Sequence, residues 1–94
     1  MTVYAVQYTY TDDTATLDAV RPEHRAYLRA CLEAGTLLAS GPLAGGRALL
    51  LLSVADRAAL DALLAGDPFR GAGVLASVDV AEWKPVIGPW AYLA

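Results

Sequence analysis

The stretch RALLLLS, residues 47–53, decides the fold because it contains four consecutive leucines and no polar residue between its two ends. A strand with one exposed face alternates apolar and polar side chains, whereas a strand covered on both faces reads as a continuous apolar run. We therefore predict a β-strand over 47–53 with both faces covered.

The segments on either side of this strand predict a second strand and a helix. TLLASGPL (36–43) precedes it and indicates a strand broken at its Gly-Pro pair. After it, Ser53 and Asp56 resemble a capping box, with aspartate in place of glutamate, that opens a helix over 54–65. The leucines of that helix form its core side.

Both ends of the chain add extended segments. TVYAVQYTY (2–10) is rich in the Val, Tyr and Thr residues that fit a pleated sheet. VLASVDVAEW (74–83) predicts the fourth strand, and the proline-containing residues 84–94 predict an extended tail that lies against a surface. We treat 1–94 as one domain with its core in 2–83.

The first helix is predicted near Pro22 to Ala34, after a polar connection over 11–20. Proline is tolerated in a first turn, and Gly35 supplies the stop. One stripe of this helix follows a 3.6-residue period and faces the sheet: His24, Leu28, Cys31 and Gly35. Because His24 then lies in the first turn, the positive end of the helix favours a neutral imidazole that accepts a proton.

The predicted fold class is α+β, with a β-α-β-β-α-β order and a four-stranded antiparallel sheet. Two helices of this length cover one face of such a sheet and leave the other bare. The strands over 2–10 and 47–53 are apolar on both faces, and a large bare apolar face is rare in soluble monomers. We therefore predict a homodimer that packs sheet to sheet.

Composition and charge exclude several function classes. The net charge is −3 and no basic patch occurs, which argues against a nucleic-acid partner. The longest apolar run, 48–52, is far too short to span a membrane, and the N-terminus has no secretion signal. A single cysteine, Cys31, excludes an internal disulfide. These features predict a cytoplasmic protein without a membrane partner.

Few residues are suited to chemistry. The single histidine and single cysteine have no metal-ligand spacing, so we expect no metal and no cofactor. Ser40 precedes Gly-Pro and is typical of a turn. Asp67 has two open roles: it caps the turn begun by Pro68, or it orients one nitrogen of His24. The spacing between Asp67 and His24 does not decide between these roles.

Four short motifs, taken in order, resemble the YciI-like (YCII-related) family of the dimeric α+β barrel superfamily. They are RPEHRAYL (21–28), LLASGPL (37–43), GDPFRGAGV (66–74) and EWKPVIG (82–88). The resemblance implies a ferredoxin-like fold that dimerises through its sheets into an α+β barrel. It also implies an active site built from His24 and Asp67, with the Ser40-Gly41-Pro42 turn in the pocket wall.

The resemblance leads to a functional hypothesis. We expect a cofactor-free lyase (dehydrochlorinase) or isomerase in which His24 moves a proton and Asp67 holds its tautomer. A small organic molecule would be the substrate, in a pocket that is shaped or polarised by Ser40, Tyr8 and Phe69, with Gly41 and Pro42 in its wall. Arg21 has two open roles: it attracts an anionic substrate, or it is a solvated arginine at the helix start. The alternatives are a non-catalytic dimeric protein that binds a small ligand or supports another enzyme, and a cofactor-free monooxygenase on the same barrel.

Overall fold

A computed structural model describes all 94 residues, and its elements follow the predicted order. A short third helix and a C-terminal 3-10 turn are added to that order. The elements are β1 (Thr2–Tyr10), α1 (Thr14–Glu33), β2 (Leu37–Leu43), β3 (Arg47–Val54), α2 (Arg57–Ala65), α3 (Pro68–Gly71), β4 (Leu75–Glu82) and the 3-10 turn Ala91–Leu93. The chain has the α+β, ferredoxin-like architecture.

The four strands form one antiparallel sheet in the order β2-β3-β1-β4. Strand β3 is therefore one of the two central strands. The predicted cover of both its faces is seen on one face, where Leu50 and Leu52 are buried, while Leu49 and Leu51 on the other face are half-buried. Val6 of β1 pairs with Leu50 of β3 on one side and with Val80 of β4 on the other. The ladder thus aligns alternate side chains of three strands on one face of the sheet.

The core lies between that face and the helices. Alternate residues of β1 and β3 are fully or almost fully buried there, and α1 and α2 cover them. Burial of each leucine or valine side chain stabilises the fold by about 1.5–3 kcal/mol. The main contributors are Val6, Tyr8, Leu28, Leu50, Leu52, Leu60 and Leu64. His24, Leu28 and Cys31 are all buried, which confirms three members of the predicted stripe, whereas Gly35 is exposed beyond the end of α1.

Helix α1 begins eight residues earlier than the sequence predicted, at Thr14 instead of Pro22. Asp13 caps it, since its side chain accepts hydrogen bonds from the Thr16 amide at 3.1 Å and from the Thr16 hydroxyl. Pro22 lies inside the helix. His24 is consequently near the middle of a 20-residue helix. The predicted effect of the positive helix end on His24 is therefore wrong, because that effect falls off within the first turn.

The boundaries of α2 and β2 also differ from the prediction. Asp56 alone caps α2, accepting the Ala59 N–H at 2.9 Å, while Ser53 belongs to β3. Strand β2 continues through its Gly-Pro pair, and its irregularity lies between Leu37 and Ala39. An edge strand accepts proline because the missing N–H faces away from the ladder.

The C-terminal tail is not wholly extended, since it ends in the 3-10 turn. Trp83 at the end of β4 meets Trp90 of the tail edge to face, with ring centroids 6.5 Å apart. No helix of the protein combines the length and the apolar character needed to cross a membrane.

The junction of α2 and α3 depends on a glycine. The Tyr27 hydroxyl of α1 donates a hydrogen bond to the Leu63 carbonyl at 2.7 Å. The same hydroxyl oxygen lies only 2.6 Å from the position that a Cβ on Gly66 would take. We expect Gly66→Ala to displace Tyr27 and lower the free energy of unfolding by about 1–2 kcal/mol. Urea unfolding of the Gly66→Ala and Tyr27→Phe single and double variants tests this. Equal losses that simply add in the double variant would contradict it.

Candidate active site

Asp67 is a buried carboxylate at the junction between α2 and α3. Gly66 ends α2, and Pro68 begins α3 directly after Asp67. The Asp67 Oδ1 atom accepts the Phe69 backbone N–H at 3.0 Å, so Asp67 caps the turn, which is the first of the two roles that the sequence left open. Its exposed fraction is nevertheless only 2 %. An ionised carboxylate at that depth needs further donors.

Two side chains supply those donors. Nδ1 of His24 in α1 lies 2.7 Å from Asp67 Oδ1, and the Tyr8 hydroxyl of β1 donates to Oδ2 at 2.9 Å. Asp67 is therefore both a cap and the partner of His24. A strand, a helix and a turn meet at this single carboxylate, and all of its donors come from inside the core.

The hydrogen bonds define the tautomer of His24. A carboxylate only accepts, so Nδ1 must carry the proton and Nε2 of the neutral ring is left as an acceptor. Burial, and next the charge of Asp67, raise the pKa of Tyr8 far above the ordinary tyrosine value. Tyr8 therefore stays protonated and remains a donor to Asp67 at every physiological pH.

Aromatic contacts hold the imidazole plane. The Phe69 ring stacks on His24 with centroids 3.9 Å apart and planes 9° from parallel. Phe69 also meets Tyr10 edge to face at 5.6 Å. His24 thus has one ring face covered and one ring nitrogen bound, which leaves little freedom for the side chain to rotate.

A cavity of about 290 Å³ opens beside His24. Because Nδ1 is bound to Asp67, Nε2 is the polar ring atom left to face this space. Apolar side chains form part of its wall, and polar groups lie among them. The lining residues are Tyr10, Arg21, His24, Arg25, Leu28, Ser40, Gly41, Pro42, Ala48 and Leu50.

The predicted site residues divide into two sets. Those that line the cavity are His24, Arg21, Ser40, Gly41 and Pro42. Asp67, Tyr8 and Phe69 do not line it: they lie behind His24, where Asp67 and Phe69 contact the imidazole and Tyr8 contacts Asp67.

Sequence reasoning did not assign five of the lining residues to the site: the apolar Leu28, Ala48 and Leu50, and the polar Tyr10 and Arg25. Tyr10 follows Tyr8 by two residues and so projects from the same face of β1, a signal that was present in the sequence. Burial raises the pKa of the Tyr10 hydroxyl, so it too is a donor. Arg25 follows His24 directly, and only the path of α1 past β2 brings it to the cavity.

The two arginines that line the cavity differ in whether they form an ion pair. Arg21 forms an ion pair with Asp18 one turn earlier in α1, whereas Arg25 has no ion pair and no side-chain hydrogen bond. No group of three or more His, Cys, Asp or Glu residues is arranged to hold a metal ion.

Comparison with known proteins gives a family and a structural likeness. The sequence model of the YCII-related domain matches residues 1–84. A solved structure of 5-chloro-2-hydroxyhydroquinone dehydrochlorinase from Burkholderia phenoliruptrix, in complex with 2,5-dihydroxybenzoquinone, superposes with a TM-score of 0.78. That match covers 87 % of this chain and 93 % of the other at 18 % identity, a level that shows a shared fold. No curated protein matches the sequence.

Proposed function

The chain belongs to the YCII-related domain family, and from this membership we propose that it is a small-molecule lyase with His24 as its base. The observation that carries the proposal is the buried hydrogen bond of 2.7 Å between Asp67 and Nδ1 of His24, beside a cavity that His24 lines. A carboxylate on one ring nitrogen leaves the other free to take a proton.

The proposed step is an elimination. Nε2 of His24 removes a proton from a substrate carbon, and the C–H electron pair becomes a carbon–carbon π bond. The leaving group, such as chloride, departs from the adjacent tetrahedral carbon with its bonding pair. In a chlorohydroquinone, one hydroxyl proton first shifts to the chlorine-bearing carbon and makes it tetrahedral. Nε2 then takes the proton of the hydroxyl opposite the new carbonyl, and its electron pair forms the quinone as chloride leaves. The imidazolium then returns its proton to solvent. In an isomerisation His24 would instead return the proton to another atom of the same substrate.

Asp67 supports this step as a positioning residue. Its charge lies next to the ring that becomes an imidazolium, and it accepts the Nδ1 proton throughout. Positioned acid–base groups of this kind accelerate reactions by about 10²–10⁴-fold. The structural neighbour is named for a dehydrochlorination and binds a small quinone, which makes eliminations from small cyclic compounds the first reactions to examine.

Incubation with 5-chloro-2-hydroxyhydroquinone tests the proposal. We expect one chloride to be released for each substrate consumed, with no added cofactor and no oxygen uptake. Oxygen uptake would instead indicate the monooxygenase alternative. Binding at the His24 ring without chloride release, detected through the single histidine in NMR spectra, would indicate the binding-protein alternative.

We also propose that the protein is a homodimer joined through the open face of its sheet. The helices cover one face only, and the other carries half-buried apolar side chains beside shorter polar ones. Leu51 of β3 pairs with Ala5 of β1 and Ala39 of β2 in one row of that face. A second copy of the same face would cover this row, as sheet-to-sheet packing requires.

A charge placed in that row tests the dimer. We expect Leu51→Glu to change the solution mass from two chains to one, because two glutamates would be buried against each other. Ala58→Glu, which places the same charge on the exposed side of α2, is the matched control and should remain dimeric. Sedimentation equilibrium gives both masses, and a wild-type mass of one chain would contradict the proposal.

A further inference from the structure

We propose that the His24 cavity takes substrates that carry a carboxylate and that Arg25 binds this group. The inference rests on the proposed function, since it names the substrate class of the same site. The cavity holds an acceptor at His24, hydroxyl donors at Tyr10 and Ser40, and a cationic rim. Such a set suits a small molecule with one anionic end.

The two arginines of the rim differ in availability. Arg21 already pairs with Asp18, and its hydrogen-bonding capacity is partly used. Arg25 lies next to His24 in α1, is exposed, and has no carboxylate within ion-pair distance. Its five N–H donors are therefore available to a ligand. The anchoring group is Arg25 and not Arg21.

The charges along α1 favour an anion at this position. Arg21, Arg25 and Arg29 follow one another at four-residue intervals, which places like charges on adjacent turns of one face. Only Arg21 has a counter-ion, although the chain as a whole carries a net charge of −3. A bound carboxylate would supply the missing counter-charge beside Arg25.

The chemistry of arginine selects a carboxylate. The planar guanidinium matches the two oxygens of a carboxylate and binds them through two parallel hydrogen bonds. The apolar part of the wall, formed by Leu28, Pro42, Ala48 and Leu50, suits the hydrocarbon body of a small acid. With its acid end on Arg25, the substrate would present its proton-bearing carbon to Nε2 of the neighbouring His24.

Benzoate and benzamide are matched probes because they share a ring and differ in charge. We expect calorimetry to show that the wild-type protein binds benzoate at least about tenfold more tightly than benzamide, with the His24 ring signals shifting in NMR spectra. Arg25→Gln should remove this preference. Arg29→Gln removes the same charge one turn away, outside the cavity lining, and should keep it.

Two results would overturn the inference: equal affinity for benzoate and benzamide in the wild type, or equal weakening by Arg25→Gln and Arg29→Gln. The test is separate from that of the lyase reaction, because no turnover is measured. Chloride release without benzoate preference would reject the carboxylate class alone. Arg25-dependent benzoate preference without chloride release would support the carboxylate class and reject elimination from 5-chloro-2-hydroxyhydroquinone, which carries no carboxylate.

Discussion

His24→Ala is expected to lower the rate of chloride release by about 10²–10⁴-fold, the range that a positioned acid–base group contributes. The variant removes Nε2, which is the proposed proton acceptor, and leaves the rest of the cavity wall in place. Initial rates at saturating 5-chloro-2-hydroxyhydroquinone measure the effect. Turnover within threefold of the wild-type rate would show that His24 is not the base.

Two controls separate this loss from unfolding. His24→Ala should keep its benzoate preference, which depends on Arg25, and its far-UV circular dichroism. In the wild type, nitrogen chemical shifts of the imidazole should show a proton on Nδ1 and none on Nε2 in the neutral ring, as the bond to Asp67 requires. The opposite tautomer would contradict the assigned geometry.

Asp67→Ala should lower the free energy of unfolding by about 3–5 kcal/mol, because each buried donor that is left without its acceptor costs about 1–3 kcal/mol. The substitution leaves three donors without an acceptor in the core: the Tyr8 hydroxyl, Nδ1 of His24 and the Phe69 N–H. Such a loss is a large fraction of the total stability of a small domain.

The matched control is Asp61→Ala. Asp61 also forms an ion pair, with Arg57, but both side chains are more than half exposed. Its removal should change the free energy of unfolding by about 0–1 kcal/mol. Urea unfolding curves give both values. A loss for Asp67→Ala as small as that for Asp61→Ala would mean that water or other groups satisfy the three donors.

Local patterns predicted the elements well where one period dominates. The leucine run of β3 and the stripe through His24, Leu28 and Cys31 could be predicted because they depend only on which side chains are buried away from water. The predicted helix α1 was too short, because the pattern was interpreted with Pro22 in the first turn. The competing signal was Asp13, whose cap starts the helix upstream of the proline.

The sequence by itself determined the faces of the elements, their order and the residue types available for chemistry. It left open whether Asp67 is a cap or a partner of His24, and the tertiary structure decided that it is both. Only the tertiary structure likewise showed that Tyr8 lies behind His24, bound to Asp67, and that Arg25 lines the cavity. The physical reason is that periodicity acts over a few residues, whereas the distance between side chains 43 positions apart depends on how α1 and the α2–α3 junction pack on the sheet.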